Sequence, residues 1–364
     1  MWRPIVPCWR RPVCAPSGAS RRLGNPSRPP AGWWLLAESA LPFRVAAFYR
    51  FTPIPQPAEL RQQLLQVGQA AELRGTVLVA AEGVNGTICG SAAGVETLLE
   101  LLRCQSGLAD LEARTSWCGS QAFHRLKVRL KREIVTMGCA AVQLTPPPAE
   151  ETATPASRPG TPVPPQAWQE LIADPTTLVI DTRNCYEVAL GSFTGAIDPG
   201  LESFREFPRW VDQQLAPLVE ARRPERLALF CTGGIRCEKA TAYLRQQGFE
   251  GVHHLQGGIL RYLEEVPTEQ SHWQGECYVF DQRVALNHRL EPGGFSLCHA
   301  CGLPLSPADR QLDSYVQGVS CRHCRDRFSD ADRARFAERQ RQSTLAASRG
   351  GRHIGAGAGG SPCP

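Results

Sequence analysis

The apolar positions between residues 44 and about 140 predict strand, helix, strand, strand, helix and strand in that order. Val45–Tyr49 and Thr76–Ala80 are short apolar runs that suit strands. Leu60, Leu64, Leu65 and Val67 recur at helical spacing within Pro57–Gln69. Glu82–Gly86 reads as a turn into Thr87–Cys89, and Val95–Leu102 reads as the second helix. Leu126, Val128 and Leu130 then alternate with Lys127, Arg129 and Lys131, the period of a strand with one apolar and one charged face. This order predicts a ferredoxin-like sandwich for residues 44–143.

The pattern stops at residues 144–165, where eight prolines among Thr, Ala and Glu offer no apolar face and predict a linker. From 166 to 268 apolar strands alternate with helical stretches, as in a parallel α/β domain. Leu178–Ile180 and Leu227–Phe230 are two of those strands, and both run into polar, chemically capable residues. Residues 269–335 form a small cysteine-bearing module, and 336–364 read as a disordered tail. Residues 1–43 carry six arginines and one acid, Glu38, without a usable period. That composition suits a transit peptide, but no amphipathic Arg face emerges, so translated upstream sequence is the preferred reading.

Composition changes this picture little. A chain of 364 residues suits two or three domains, and the net charge of +5 permits an acidic partner without requiring one. No apolar run is long enough for a membrane span. The fifteen cysteines are not spaced as a secreted disulfide framework, which points to a reducing, cytoplasmic setting. Cys89, Cys104, Cys118, Cys139 and Cys185 read as small buried hydrophobes.

The candidate chemistry lies at Cys231-Thr232-Gly233-Gly234-Ile235-Arg236-Cys237, a strand end, a Gly-rich loop and a helix start. Gly233 and Gly234 allow the backbone to curl so that successive N–H groups face the sulfur. The helix N-terminus and Arg236 add positive charge, and all three favour a thiolate nucleophile. Cys237 is read as packing at the helix start, with resolution of a Cys231 persulfide as a disulfide the alternative.

Two CxxC pairs, Cys298/Cys301 and Cys321/Cys324, are separated by 19 residues and predict a closed four-cysteine metal site. Zinc in a structural role is the preferred ion, with an iron–sulfur cluster as the alternative; His299 and His323 are not expected as ligands. Arg125, Lys127, Arg129 and Lys131 recur at period two and are candidates for phosphate contact, with Trp117 and Phe123 beside them for base stacking. A solvated, charge-protected strand face is the alternative.

Asp181-Thr182-Arg183, Tyr186-Glu187, Gly191–Ala196, the Cys231 loop and His254–Ile259, in that order, resemble a rhodanese domain. Ser192 departs from the histidine that many rhodaneses carry. The resemblance implies that Cys231 accepts an electrophile above a loop of amides. It also implies that Asp181, Arg183 and Glu187 are ion-paired scaffold. Together with Phe48–Phe51, Ala81–Gly86, Cys231–Ala240 and Tyr278–Asp281, the chain resembles the bacterial tRNA uridine(34) hydroxylase family. That resemblance implies an acylphosphatase-like domain ahead of the rhodanese domain. It also implies oxygen-dependent formation of 5-hydroxyuridine at the wobble position, with Cys231 in the active site and the tRNA anticodon arm as partner. No flavin or nicotinamide motif is visible. The rival readings are a thiosulfate-type sulfurtransferase that forms a cysteine persulfide, and a non-catalytic RNA-binding scaffold.

Overall fold

The computed structural model describes residues 41–139, 142, 144 and 158–350. The 1–40 extension and the tail beyond 350 lie outside the described residues, as does most of the proline-rich stretch. Strands β1 (Phe43–Phe51), β2 (Arg74–Ala80), β3 (Gly83–Gly90), β4 (Ala113–Cys118) and β5 (Leu126–Leu130) form one sheet in the order β4-β1-β3-β2-β5. Helices α1 (Pro57–Ala70) and α2 (Ala92–Arg103) bury Leu60, Leu64, Val95, Leu98, Leu99 and Leu102 with sheet residues Ala46, Val77, Val79 and Ile88. Ser91 caps α2 by accepting from the Gly94 N–H at 3.1 Å.

Two details differ from the sequence reading. Asn85 and Gly86 are not a turn; they lie inside β3, paired with Leu78, Tyr49, Val77 and Phe48. Gly86 has no side chain because one would meet the Phe48 ring at 2.9 Å. The strand that completes the βαββαβ unit is β4, antiparallel to β1; its mixed residues Ala113–Cys118 gave no alternating signal. The basic strand is a fifth, added parallel to β2 at the opposite edge.

A second sheet has the order β6-β10-β9-β7, from Thr161–Val163, Val252–Leu255, Arg226–Phe230 and Thr177–Asp181, all parallel. Its β6 falls in the stretch read as linker: three residues at a sheet edge need little apolar content, and Pro162 sits there without disturbing an interior strand. Helix α3 (Pro165–Ala173) precedes β7, α4 (Ile235–Gln246) follows β9, and α5 (Gly258–Glu265) follows β10. Trp273–Gly275 (β11), assigned from sequence to the cysteine module, instead pairs with β8 (Gly191–Phe193) of this domain. Trp273 packs edge-on against Phe193 with ring centroids 5.3 Å apart. Helix α6 (Asp330–Ser348) runs into the predicted tail. It starts at a Ser329/Asp332 capping box but buries no residue, so its apolar pattern was silent.

The two sheets share a core. Phe51 and Ala80 of the first domain and Ile134, Met137, Val142 and Leu144 beyond β5 pack in one cluster with Leu178, Ile180, Leu229, Cys231, Cys237 and Leu244. Val142 and Leu144 are therefore part of the α/β domain's packing, not a free tether. Among the described residues no helix is long and apolar enough to cross a membrane.

Candidate active site

Strand β9 ends at Phe230, and Cys231 follows as the first residue of the loop into α4. The loop turns at Gly234, whose φ of +102° is open to glycine at little cost. That turn aims the Gly234 N–H at the Cys231 sulfur, 3.1 Å away. The carbonyls on the other side of the loop are held by the next βα turn. Ile259 N–H donates to the Cys231 carbonyl at 3.0 Å and Leu260 N–H to the Thr232 carbonyl at 3.1 Å. Gly258 permits this approach: a side chain there would meet the Cys231 carbonyl oxygen at 2.5 Å. The His254–Ile259 segment thus fixes which way the loop amides point.

Cys231 is fully buried. Burial alone would raise its thiol pKa. The neighbouring Cys237 thiol, the Arg236 guanidinium and the N–H groups of Cys237 and Gly234 outweigh this and bring it down to about 6. Cys237 moves the opposite way: burial and the adjacent Cys231 charge keep it a thiol. The two shifts run in opposite directions, which makes Cys231 the more acidic of the pair.

Arg236 does not reach toward solvent. Its two terminal nitrogens donate to Glu187 at 2.6 and 2.7 Å, a bidentate pair with both side chains buried. Glu187 also accepts the Asn184 N–H at 3.1 Å, and its carboxyl is held below the usual range because Arg236 outweighs burial. Arg183 is fully buried against Asp181, with contacts of 2.6 and 2.9 Å, and Ser192 donates to the same carboxylate at 2.9 Å. The hydroxyl at position 192 thus makes a scaffold bond. The expected scaffold of Asp181, Arg183 and Glu187 is present, as two separate ion pairs.

The sequence reading missed what the first domain contributes. Tyr49 on β1 donates to Glu238 at 2.7 Å, and its hydroxyl lies so close to Gly234 that a side chain there would meet it at 2.8 Å. Burial raises the pKa of both Tyr49 and Glu238, so this bond stands beside the thiolate in a poorly solvated place. One residue on, Lys239 is buried and its ammonium donates to Glu82 at 3.0 and 3.1 Å, to Glu133 at 2.7 Å and to the Val135 carbonyl at 3.2 Å. Glu82 and Glu133 come from the first domain and its exit segment.

Beyond Arg236 the Phe280 ring is exposed, with the guanidinium 6.0 Å from its centroid. Phe280 packs edge-on against Tyr278, and Tyr278 against Tyr186.

The four module cysteines form a separate cluster. Cys298 and Cys324 sulfurs are 3.9 Å apart, Cys301 and Cys321 3.7 Å, and Cys321 and Cys324 3.6 Å; all four sulfurs lie within 4.8 Å of one another. Sulfurs at about 2.3 Å from a tetrahedral zinc ion would be about 3.8 Å apart. The donor set therefore fits a closed metal site, and neither His299 nor His323 belongs to it. Arg125, Lys127, Arg129 and Lys131 lie on or beside the edge strand β5. Arg125, Arg129 and Lys131 are exposed. Partial burial and the charges of Arg125 and Arg129 lower the Lys127 pKa. Trp117 and Phe123 are half-buried, and Phe123 packs against Val45 and Cys118 and their neighbours.

Residues 43–134 match the model of the UPF0176 acylphosphatase-like domain, and residues 164–265 match that of the rhodanese-like domain. A tRNA uridine(34) hydroxylase of Parasynechococcus marenigrum is 57% identical over 308 residues, 82% of this chain and 92% of the relative. One from Prochlorococcus marinus is 56% identical over 302 residues, 82% of this chain and 94% of the relative.

Proposed function

The chain belongs to the tRNA uridine(34) hydroxylase family, and from that premise we propose that it converts the wobble uridine of tRNA to 5-hydroxyuridine with Cys231 as the reacting group. The observation that carries this reading is the joint construction of the site. The first domain places Tyr49 against Glu238 and Gly234, so the cysteine loop is roofed by a second domain. A sulfurtransferase acting on thiosulfate and a small thiol has no need of that roof. Because Cys231 has no exposed surface, uridine reaches it only when the packing over the loop opens. The thiolate then adds to C6, which makes C5 electron-rich toward molecular oxygen. The exposed Phe280 ring offers a face for a neighbouring base of the anticodon arm. A tRNA substrate fits a cytoplasmic reaction. Nucleoside mass spectrometry of tRNA from a deletion strain tests the function. Unchanged 5-hydroxyuridine together with lost thiosulfate:cyanide activity would favour the sulfurtransferase.

The basic strand is the proposed backbone contact. Replacing Lys127 and Arg129 with Gln is expected to weaken tRNA binding and to flatten its salt dependence by roughly 0.7–0.9 log units of slope per lost phosphate contact. Titrations of both proteins at two salt concentrations measure this, and equal slopes would make the strand an ordinary solvated edge.

We assign structural zinc to Cys298, Cys301, Cys321 and Cys324, whose four thiolates would leave no open position for water. Metal analysis should find about one zinc per chain. Cys298→Ser should lose the metal and loosen the C-terminal module while the Cys231 loop keeps its reactivity. Iron in place of zinc, or no metal under reducing conditions, would overturn the assignment.

A further inference from the structure

Hydroxylation by molecular oxygen takes two electrons from the C5–H bond and needs two more to reduce the second oxygen atom to water. We infer that Cys231 and Cys237 together supply that second pair by closing to a disulfide, which makes Cys237 a reacting residue and not a packing one. The inference rests on the hydroxylase reading.

Both sulfurs are reduced and both side chains have 0% exposure in the same core cluster. Both sit on one loop and the helix start that follows it, held at its turn and packed in one cluster: the Cys237 N–H donates to the Gly234 carbonyl at 3.0 Å, and the Gly234 N–H donates to the Cys231 sulfur at 3.1 Å. On its far side Cys237 meets the Thr182 hydroxyl at 3.5 Å, which holds the sulfur within the loop. Cys231 is the more acidic thiol and Cys237 the less acidic, the order that thiol–disulfide chemistry uses.

Across one turnover the C5–H, O–O and Cys237 S–H bonds break, and the C6–S bond to Cys231 forms and breaks again. One oxygen atom forms C5–OH and the other leaves as water, the three protons coming from C5, from Cys237 and from solvent, and the S–S bond forms. Uridine and the two thiols are oxidised, and oxygen is reduced. An external dithiol must then reopen the disulfide before the next turnover.

The test uses the full chain, reduced under anaerobic conditions and freed of reductant, then mixed with tRNA carrying unmodified uridine 34 in oxygenated buffer. Mass spectrometry counts 5-hydroxyuridine, and peptide mapping without reduction counts the Cys231–Cys237 disulfide. The expected result is no more than one 5-hydroxyuridine per chain and one disulfide for each, with the buried Cys277 still a thiol. Dithiothreitol should restore multiple turnover. Cys237→Ser should form under a tenth of the wild-type product without reductant and recover in part with an added monothiol. Product formed while both cysteines stay reduced, or a Cys237→Ser variant that matches wild type without reductant, would overturn the inference. No product from the wild type even with dithiothreitol would overturn the hydroxylase reading and the inference with it.

Discussion

Replacing Cys231 with serine is expected to lower 5-hydroxyuridine formation by more than about 10³-fold while leaving the fold in place. Serine fits the space and can accept the Gly234 N–H that now serves the sulfur at 3.1 Å. It cannot exploit the charge-stabilising loop, because a hydroxyl stays protonated where a thiol pushed down to about 6 does not. Nucleosides from a deletion strain carrying either form report the loss, and thermal melts report the fold. Normal modification with the serine protein would remove Cys231 from the chemistry. The difference in thiolate absorbance between the two proteins should titrate near pH 6. Because this acidic group has its folded pKa lowered from 9.0, the stability it contributes is complete above the unfolded value. That contribution disappears as the pH falls through about 6.

The reactive loop was legible because its requirements are local. A strand must end, glycines must turn the backbone, and a helix must start, all within Cys231–Ala240. The metal cluster was legible for the same reason, since each CxxC knuckle is a contiguous donor pair. Two kinds of feature were not. Ala113–Cys118 is held by pairing with β1 and by Ser116 accepting from Arg283, contacts more than 60 residues away that leave no period in the strand itself. The Tyr49–Glu238 and Lys239–Glu82–Glu133 contacts join residues 106 to 189 positions apart. A single sequence shows the participants as isolated polar residues, and only the packing of one domain on the other makes them a site.

Glu187→Gln is expected to do two things that a passive scaffold charge would not do together. It removes the bidentate carboxylate partner of the buried Arg236 guanidinium, which should cost about 3–5 kcal/mol of stability. It also removes the negative charge that now offsets Arg236, so the field at Cys231 becomes more positive and its thiol pKa falls below about 6. Stability and thiolate formation should therefore move in opposite directions. The double variant Glu187→Gln, Arg236→Gln separates the two effects. An amide pair can restore part of the lost stability through neutral hydrogen bonds, but it removes the positive charge, so the Cys231 pKa should rise above the wild-type value. Denaturant melts and thiolate titrations on the wild type, both single variants and the double variant complete the cycle. If Glu187→Gln is as stable as wild type and titrates at the same pH, the pair neither supports the domain nor tunes the cysteine. The loop amides and Cys237 would then have to account for the thiolate alone.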